Sequence, residues 1–287
     1  MNMNVSTRHM DTRNYGERGF TLIELMVALV VGLLLLLMTL QVFMALKSAN
    51  QLQGALASIQ EDGRIALNLI AREVRQAGFR PVVWNEPLAG YYPITANSVN
   101  GASNGNDTLQ FMYMDSRDCN GTLNTVIDPE TGEAQALYKQ ETLSVDGNDN
   151  LRWTCEYGQD PANLAAQINS QLIIDGVDSF QVLYGVDTDL PPDMSVNEWT
   201  TADAISPENS VCLQSQFRCE AEGLLGSITN GIPISIQIGL LVSSPQNAGV
   251  ETDTQTFTVL DVAVPAANDY LMRKLYTTTI TLRNLTI

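Results

Sequence analysis

The stretch GFTLIELMVALVVGLLLLLMTLQVFMAL, residues 19–46, decides how the rest of the chain is read. From residue 25 to residue 46 about 22 consecutive positions carry no charge. A helix of that length, rising 1.5 Å per residue, reaches about 33 Å, close to the thickness of a bilayer's hydrocarbon core. The segment is therefore long enough to cross a membrane. A secretory signal is cut after its apolar core, whereas here the processing-like feature, Arg18-Gly19-Phe20, stands before it, so the core is expected to stay in the mature chain. Glu24 lies inside the apolar stretch, where a carboxylate is costly unless a cation meets it.

N-terminal to this stretch, Arg8, Arg13 and Arg18 outweigh Asp11 and Glu17, which suits a leader on the cytoplasmic side of a membrane. The bias is weak, because Lys47 and Arg64 follow soon after the span, and Met10 offers a second start. C-terminal to it, small or apolar residues recur in steps of three and four at Ala49, Leu52, Leu56, Ile59, Gly63, Ala66, Ile70, Val74 and Ala77. This predicts one helix over residues 20–77, about 87 Å long, with Gly78 at its C′ position and Pro81 as a stop. Gly54 and Gly63 are each expected to weaken it by up to about 1 kcal/mol. A coiled-coil dimer would also use such a stripe, but its Ala and Gly content and the β-rich region that follows favour packing on a sheet.

Residues 81–107 are rich in Pro, Gly, Asn and aromatics and show no period, so they read as a long loop. Strand signals follow at 108–114, 135–143, 151–155, 179–186, 231–243, 254–262 and 275–282. The alternation is clearest in IPISIQI from Ile232 and YTTTITL from Tyr276, each predicting a strand with one buried face. A helix stripe and alternating strands together imply an α+β domain, the distal half of the helix packed on a mainly antiparallel sheet.

The chain carries 15 Lys plus Arg against 32 Asp plus Glu, a net charge of −17. Loss of residues 1–19 would remove three arginines and two carboxylates, leaving about 12 and 30, a net charge of about −18. Such a surface repels nucleic acid, and direct nucleic-acid binding is not expected. His9, the only histidine, lies in the leader, which leaves the mature form without Ser-His-Asp or Cys-His machinery or a His-ligated zinc.

Gly19-Phe20-Thr21-Leu22-Ile23-Glu24-Leu25 and the apolar run after it resemble the class III signal of type IV pilins and type II secretion pseudopilins. The resemblance implies that a membrane-embedded aspartyl prepilin peptidase cuts after Gly19 and methylates the new N-terminus, Phe20. It also implies that Glu24 pairs with the N-terminal amine of a neighbouring subunit. Further along, AREVRQAGFR (71–80), GVDSFQVLYGVDTDL (176–190), GLLVSS (239–244) and RKLYTTTITLRN (273–284) are similar to stretches of the PilW group of minor pilins. Arg72 and Arg75 in the first of these also suit the dipole at a helix C-terminus. Most major pilins of this type carry Pro where this chain has Gln41, so a more continuous helix is expected here.

The organisation implied is a leader (1–19), a transmembrane and filament-core helix (20–46), an amphipathic helix half (47–78) and a periplasmic β-rich domain (79–287) with long disulfide-bearing loops. The four cysteines, Cys119, Cys155, Cys212 and Cys219, all lie beyond the anchor. An even number in an oxidising compartment favours disulfides, with the adjacent pairings Cys119–Cys155 and Cys212–Cys219 the simplest of three connectivities. Zinc is the alternative, but no pair has CxxC spacing. The turn Asp146-Gly147-Asn148-Asp149-Asn150 offers oxygen ligands for Ca²⁺, yet lacks the glycine and the final Glu of an EF-hand, and a solvated turn is the better reading. Asp187 with Asp189 is no stronger, so neither metal nor cofactor is expected.

The expected function is non-enzymatic: a minor pilin that primes type IV pilus assembly and enters the filament at or near its tip, supporting adhesion and twitching motility. The implied partners are other minor pilins, the major pilin, the inner-membrane assembly platform, the prepilin peptidase and a large tip adhesin. The implied location is the inner membrane as a single-pass protein, then the pilus and cell surface. In this family the outermost subunit typically lacks the Glu that this chain keeps at Glu24, which implies a place below another minor pilin. A type II secretion pseudopilin is the alternative, and a membrane-anchored hydrolase using paired carboxylates a remote one.

Overall fold

Helix α1, Leu22–Val74, runs without interruption through Gln41. The computed structural model describes residues 19–80, 93–94, 98–101, 105–127, 132, 135–189, 193–205, 231–248 and 252–285. The chain divides into two units, residues 1–50 and 51–287. In the first, every side chain of α1 from Leu22 to Leu46 is exposed, and no sheet covers this apolar surface. Among the described residues this is one helix long and apolar enough to cross a membrane.

In the second unit α1 buries Ala55, Ile59, Gly63, Ala66, Ile70, Ala71 and Val74, one stripe at helical spacing. The stripe starts later than its sequence pattern suggests: Ala49 is exposed and Leu52 and Leu56 are only half-buried. The helix also closes three residues before Ala77. Gly78 takes a left-handed φ of 79° and donates its N–H to the Met112 carbonyl (2.9 Å), while the Asn284 side-chain amide caps the carbonyls of Arg75 (2.9 Å) and Ala77 (3.3 Å). Groups far away in sequence thus satisfy the helix end.

Two four-stranded antiparallel sheets share this stripe. The first is a meander of β1 (Leu109–Asp115), β2 (Leu137–Val145), β3 (Leu151–Gly158) and β4 (Ala165–Ile174) in the order β1-β2-β3-β4. The second contains β5 (Val177–Asp187), β6 (Glu198–Thr200), β7 (Ile232–Ser243) and β10 (Arg273–Thr281) in the order β10-β7-β5-β6. One core joins Ile59, Ile70 and Val74 of the helix to Phe111, Tyr113 and Leu143 of the first sheet and Phe180, Val182 and Ile236 of the second. The helix therefore meets two antiparallel sheets where the sequence suggested a single one.

Several strand readings shift. The segment read as a strand at 254–262 is a hairpin, β8 (Phe257–Val259) and β9 (Val262–Val264). It folds over the outer face of β7: a Cβ on Gly239 would come within 2.8 Å of the Val259 side chain. That cover explains why β7 is buried on both faces despite its alternating sequence. Strands β4 and β6 carry no sequence signal of the usual kind; β4 is exposed on nearly all its length and β6 has three residues. Between 93 and 107, read as loop, Ile94 and Val99 form single bridges to Phe111 and Thr108.

Gly63, read as a weak point of the helix, is a contact site. A Cβ there would stand 2.3 Å from the Tyr276 ring, and Tyr276 is pinned because its hydroxyl donates to the Ile59 carbonyl at 2.9 Å. On the other side of β10, the Arg273 guanidinium is surrounded by Asp178 (2.5 Å), Asp269 (2.7 Å) and Asp253 (3.2 Å). Asp269, and then Asp178, raise the Arg273 pKa still further, and the cluster ties β5, β10 and residues 252–272 together.

Candidate functional site

The helix start is built by two side chains three positions apart in a T-x-x-E pattern. Thr21 is the N-cap: its Oγ1 accepts the Glu24 N–H at 3.3 Å. Glu24 answers by accepting the Thr21 N–H (3.0 Å) and the Thr21 hydroxyl (2.9 Å) on Oε2. This is a capping box, which satisfies backbone donors that a helix start otherwise leaves open. Gly19 and Phe20 lie just outside the helix, and Phe20 is 88% exposed. The first turn thus presents an accessible Gly-Phe bond followed by a carboxylate on a helix whose next residues, about 22 of them, carry no charge. Among the described residues no cation reaches Glu24. Thr21 is the residue a sequence reading overlooks here, although the T-x-x-E spacing before an apolar run announces it.

In the second unit Cys119, in the turn after β1, is bonded to the fully buried Cys155 in the middle of β3, with Cα atoms 5.9 Å apart. The bridge packs with Leu137 and Tyr157, and the Cys119 N–H donates to the Gln167 side chain at 2.9 Å, so it also fastens β4. These two sulfurs are consumed, and zinc is not available to them. The other two cysteines, Cys212 and Cys219, lie outside the described residues.

Beneath the last turns of α1 sits a buried polar group on the core-facing side of the first sheet. Glu141 accepts the Tyr113 hydroxyl (2.7 Å) and the Trp153 indole N–H (3.0 Å), with Lys139 4.0 Å away and itself 3.9 Å from Asp115. Burial pushes the Glu141 carboxyl up to about 7, opposed by the Tyr113 hydrogen bond. The Tyr113 hydroxyl is pushed up by the same burial. A carboxyl with such a pKa would suit acid–base chemistry, but Glu141 is 1% exposed and both its oxygens are engaged, so it faces no substrate.

The acidic segment at Asp146 is a hydrogen-bonded turn. Asp146 accepts from the Asn150 side chain, the Asn148 N–H and the Arg152 guanidinium (2.8 Å), which hold its carboxyl well below the usual range. Asp187, Asp189 and Asp193 bring carboxylate oxygens within 4.8 Å of one another. The buried Asp187 is already occupied by the N–H groups of Asp189 (3.0 Å) and Met194 (2.6 Å), and Asp193 by Ser195. Arg72 pairs with the adjacent Glu73 and is otherwise solvated.

Comparison with known proteins addresses both ends of the chain. Residues 14–40 match the prokaryotic N-terminal methylation motif, and residues 143–284 match the family described as type IV pilus-assembly protein W. No curated protein matches the chain. Among solved structures, a type IV-like pilin from Thermus thermophilus is similar at 15% identity and a TM-score of 0.47, covering 80% of this chain and 100% of that one. The methylation motif spans Gly19, Phe20 and Glu24, and the family region spans β3 to β10. The chain thus joins an N-terminal methylation motif to a type IV pilus-assembly protein W region, and together they support a type IV pilus minor pilin of the PilW group.

Proposed function

We propose that this pilin is a low-copy subunit that primes type IV pilus assembly and enters the filament at or near its tip, supporting adhesion and twitching motility. On this reading α1 stores the subunit in the inner membrane with residues 79–287 in the periplasm. The prepilin peptidase cuts between Gly19 and Phe20, Phe20 is N-methylated, and Glu24 meets the amine of a neighbouring subunit. Its partners are other minor pilins, the major pilin, the assembly platform and a large tip adhesin.

One observation carries the proposal: Glu24 stands in an apolar helix and, among the described residues, is held by Thr21 alone, which on this reading leaves its countercharge to another chain. The uninterrupted helix through Gln41 agrees with a role other than that of the bulk shaft subunit. Glu24→Ala should leave membrane insertion and cleavage after Gly19 intact while reducing both the recovery of the protein in sheared pili and the number of pili. Normal piliation, with the variant recovered at the wild-type level, would overturn the pairing. A mature N-terminus other than Phe20, read by mass spectrometry, would overturn the processing.

A further inference from the structure

Four strands end the two sheets, and three of them are guarded. The outer edge of β1 is covered, the N–H groups of Met112 and Met114 donating to the Pro93 and Phe79 carbonyls. Strand β6 has three residues and starts at Glu198. Strand β10 presents the exposed Lys274. Short length, covering segments and charge are the usual means by which proteins keep sheet edges from pairing with other chains.

Strand β4 is neither short nor charged, and among the described residues no other strand pairs with its outer edge, which only bulges interrupt. Its ten residues, AAQINSQLII, hold no charge and no proline in a chain of net charge −17. From Ala165 to Leu172 only Ile168 is even half-buried, and Leu172 is 49% exposed. Among the described residues β4 pairs with β3 alone. An uncharged, proline-free run of amide and aliphatic residues with one open edge is the composition that pairs with a further strand.

The details favour a different chain over a second copy. Ser170 takes a left-handed φ of 55°, and the register with β3 shifts on either side of Cys155. A third shift lies between Leu151 and Arg152, so the pairing is interrupted at three points along β4. Asp160 lies before the strand and Asp175 directly after it. Two copies paired antiparallel would oppose two bulges and bring like charges at their ends together. We infer that the outer edge of β4 docks a short, uncharged extended segment of another pilus subunit, bracketed by lysine or arginine that answers the acidic ends. The inference rests on the pilin reading given above and adds the surface by which a neighbour is recognised.

The test places a photo-crosslinking phenylalanine analogue at Leu172, and for comparison at the exposed Asn148, in the full-length protein in its own cells. Mass spectrometry of the adducts should show, from Leu172 only, a peptide of another pilin-type subunit with a basic residue near each end of an extended segment. Leu172→Lys should lower recovery in sheared pili about fivefold, and Leu172→Glu less, because the partner's flanks are basic. Both variants should keep the Cys119–Cys155 bridge. An adduct with a second copy of this chain would overturn the inference. So would the absence of any pilus-subunit adduct while the protein is still cleaved after Gly19 and present in pili. Loss of that cleavage in the unmodified protein would instead overturn the pilin reading beneath it.

Discussion

One helix serves two solvents. From Leu22 to Leu46 its apolar side chains go all round and all stay exposed; from Ala55 to Val74 its apolar side chains keep to one stripe and are buried. The first half is uniform because a membrane or a bundle of like helices presents an apolar surrounding on every side. The second half is selective because it meets protein on one side and water on the other. Stability of the globular unit should therefore depend on the second half alone, and incorporation into a filament on the first.

The largest effect that would sharpen this contrast lies off the helix. Replacing Cys119 and Cys155 together by Ser opens a loop with a sequence separation of 36 and should cost about 4 kcal/mol by the chain-entropy relation. Thermal unfolding of the globular unit should shift strongly, while membrane insertion through residues 22–46 is unchanged. If insertion failed as well, the two regions would not be separable in this way.

A direct comparison along α1 comes next. Ile70→Ala empties a fully buried position and should destabilise by about 3 kcal/mol, whereas Leu34→Ala, on the exposed apolar half, should leave the unfolding of the globular unit within about 0.5 kcal/mol of wild type. Denaturant unfolding in detergent measures both, and equal losses would break the comparison.

Glu141 makes the stability of the second region pH-dependent. Its folded-state carboxyl titrates near 7, chiefly through burial and with Glu73 of α1 adding repulsion, against about 4.3 in an unfolded chain. A raised pKa gives stability that is complete below about pH 4.3 and lost as pH rises through 7. The unfolding free energy should accordingly fall between pH 5 and pH 8, by an amount on the order of 2 kcal/mol, and Glu141→Gln should flatten that slope. An unchanged slope in Glu141→Gln would assign the effect to other groups.

The smallest effects carry opposite signs on two glycines of the same helix. Gly54→Ala meets open space and should stabilise the helix by up to about 1 kcal/mol. Gly63→Ala gains the same propensity but drives a methyl into the pinned Tyr276 ring, so it should destabilise by about 1–2 kcal/mol. Melting temperatures of the two single variants decide it; matching signs would mean that Tyr276 yields freely.

Local spacing determined a large part of this protein. The apolar run, Gly19-Phe20 before it, Glu24 within it and the left-handed Gly78 after the helix are short-range features, and each is legible because its chemistry depends on neighbours within a few residues. The alternating runs at Ile232 and Tyr276 likewise became β7 and β10, and the simplest cysteine pairing held for Cys119 and Cys155. Only the tertiary structure decided what those elements meet. It placed Tyr276 over Gly63, capped α1 with Asn284, turned both faces of β7 inward under the β8–β9 hairpin and enclosed Glu141 between Tyr113 and Trp153. Strand β4 stayed invisible for a related reason: alternation in a sequence records a buried face, and a strand held by backbone pairing with neither face buried leaves no such record.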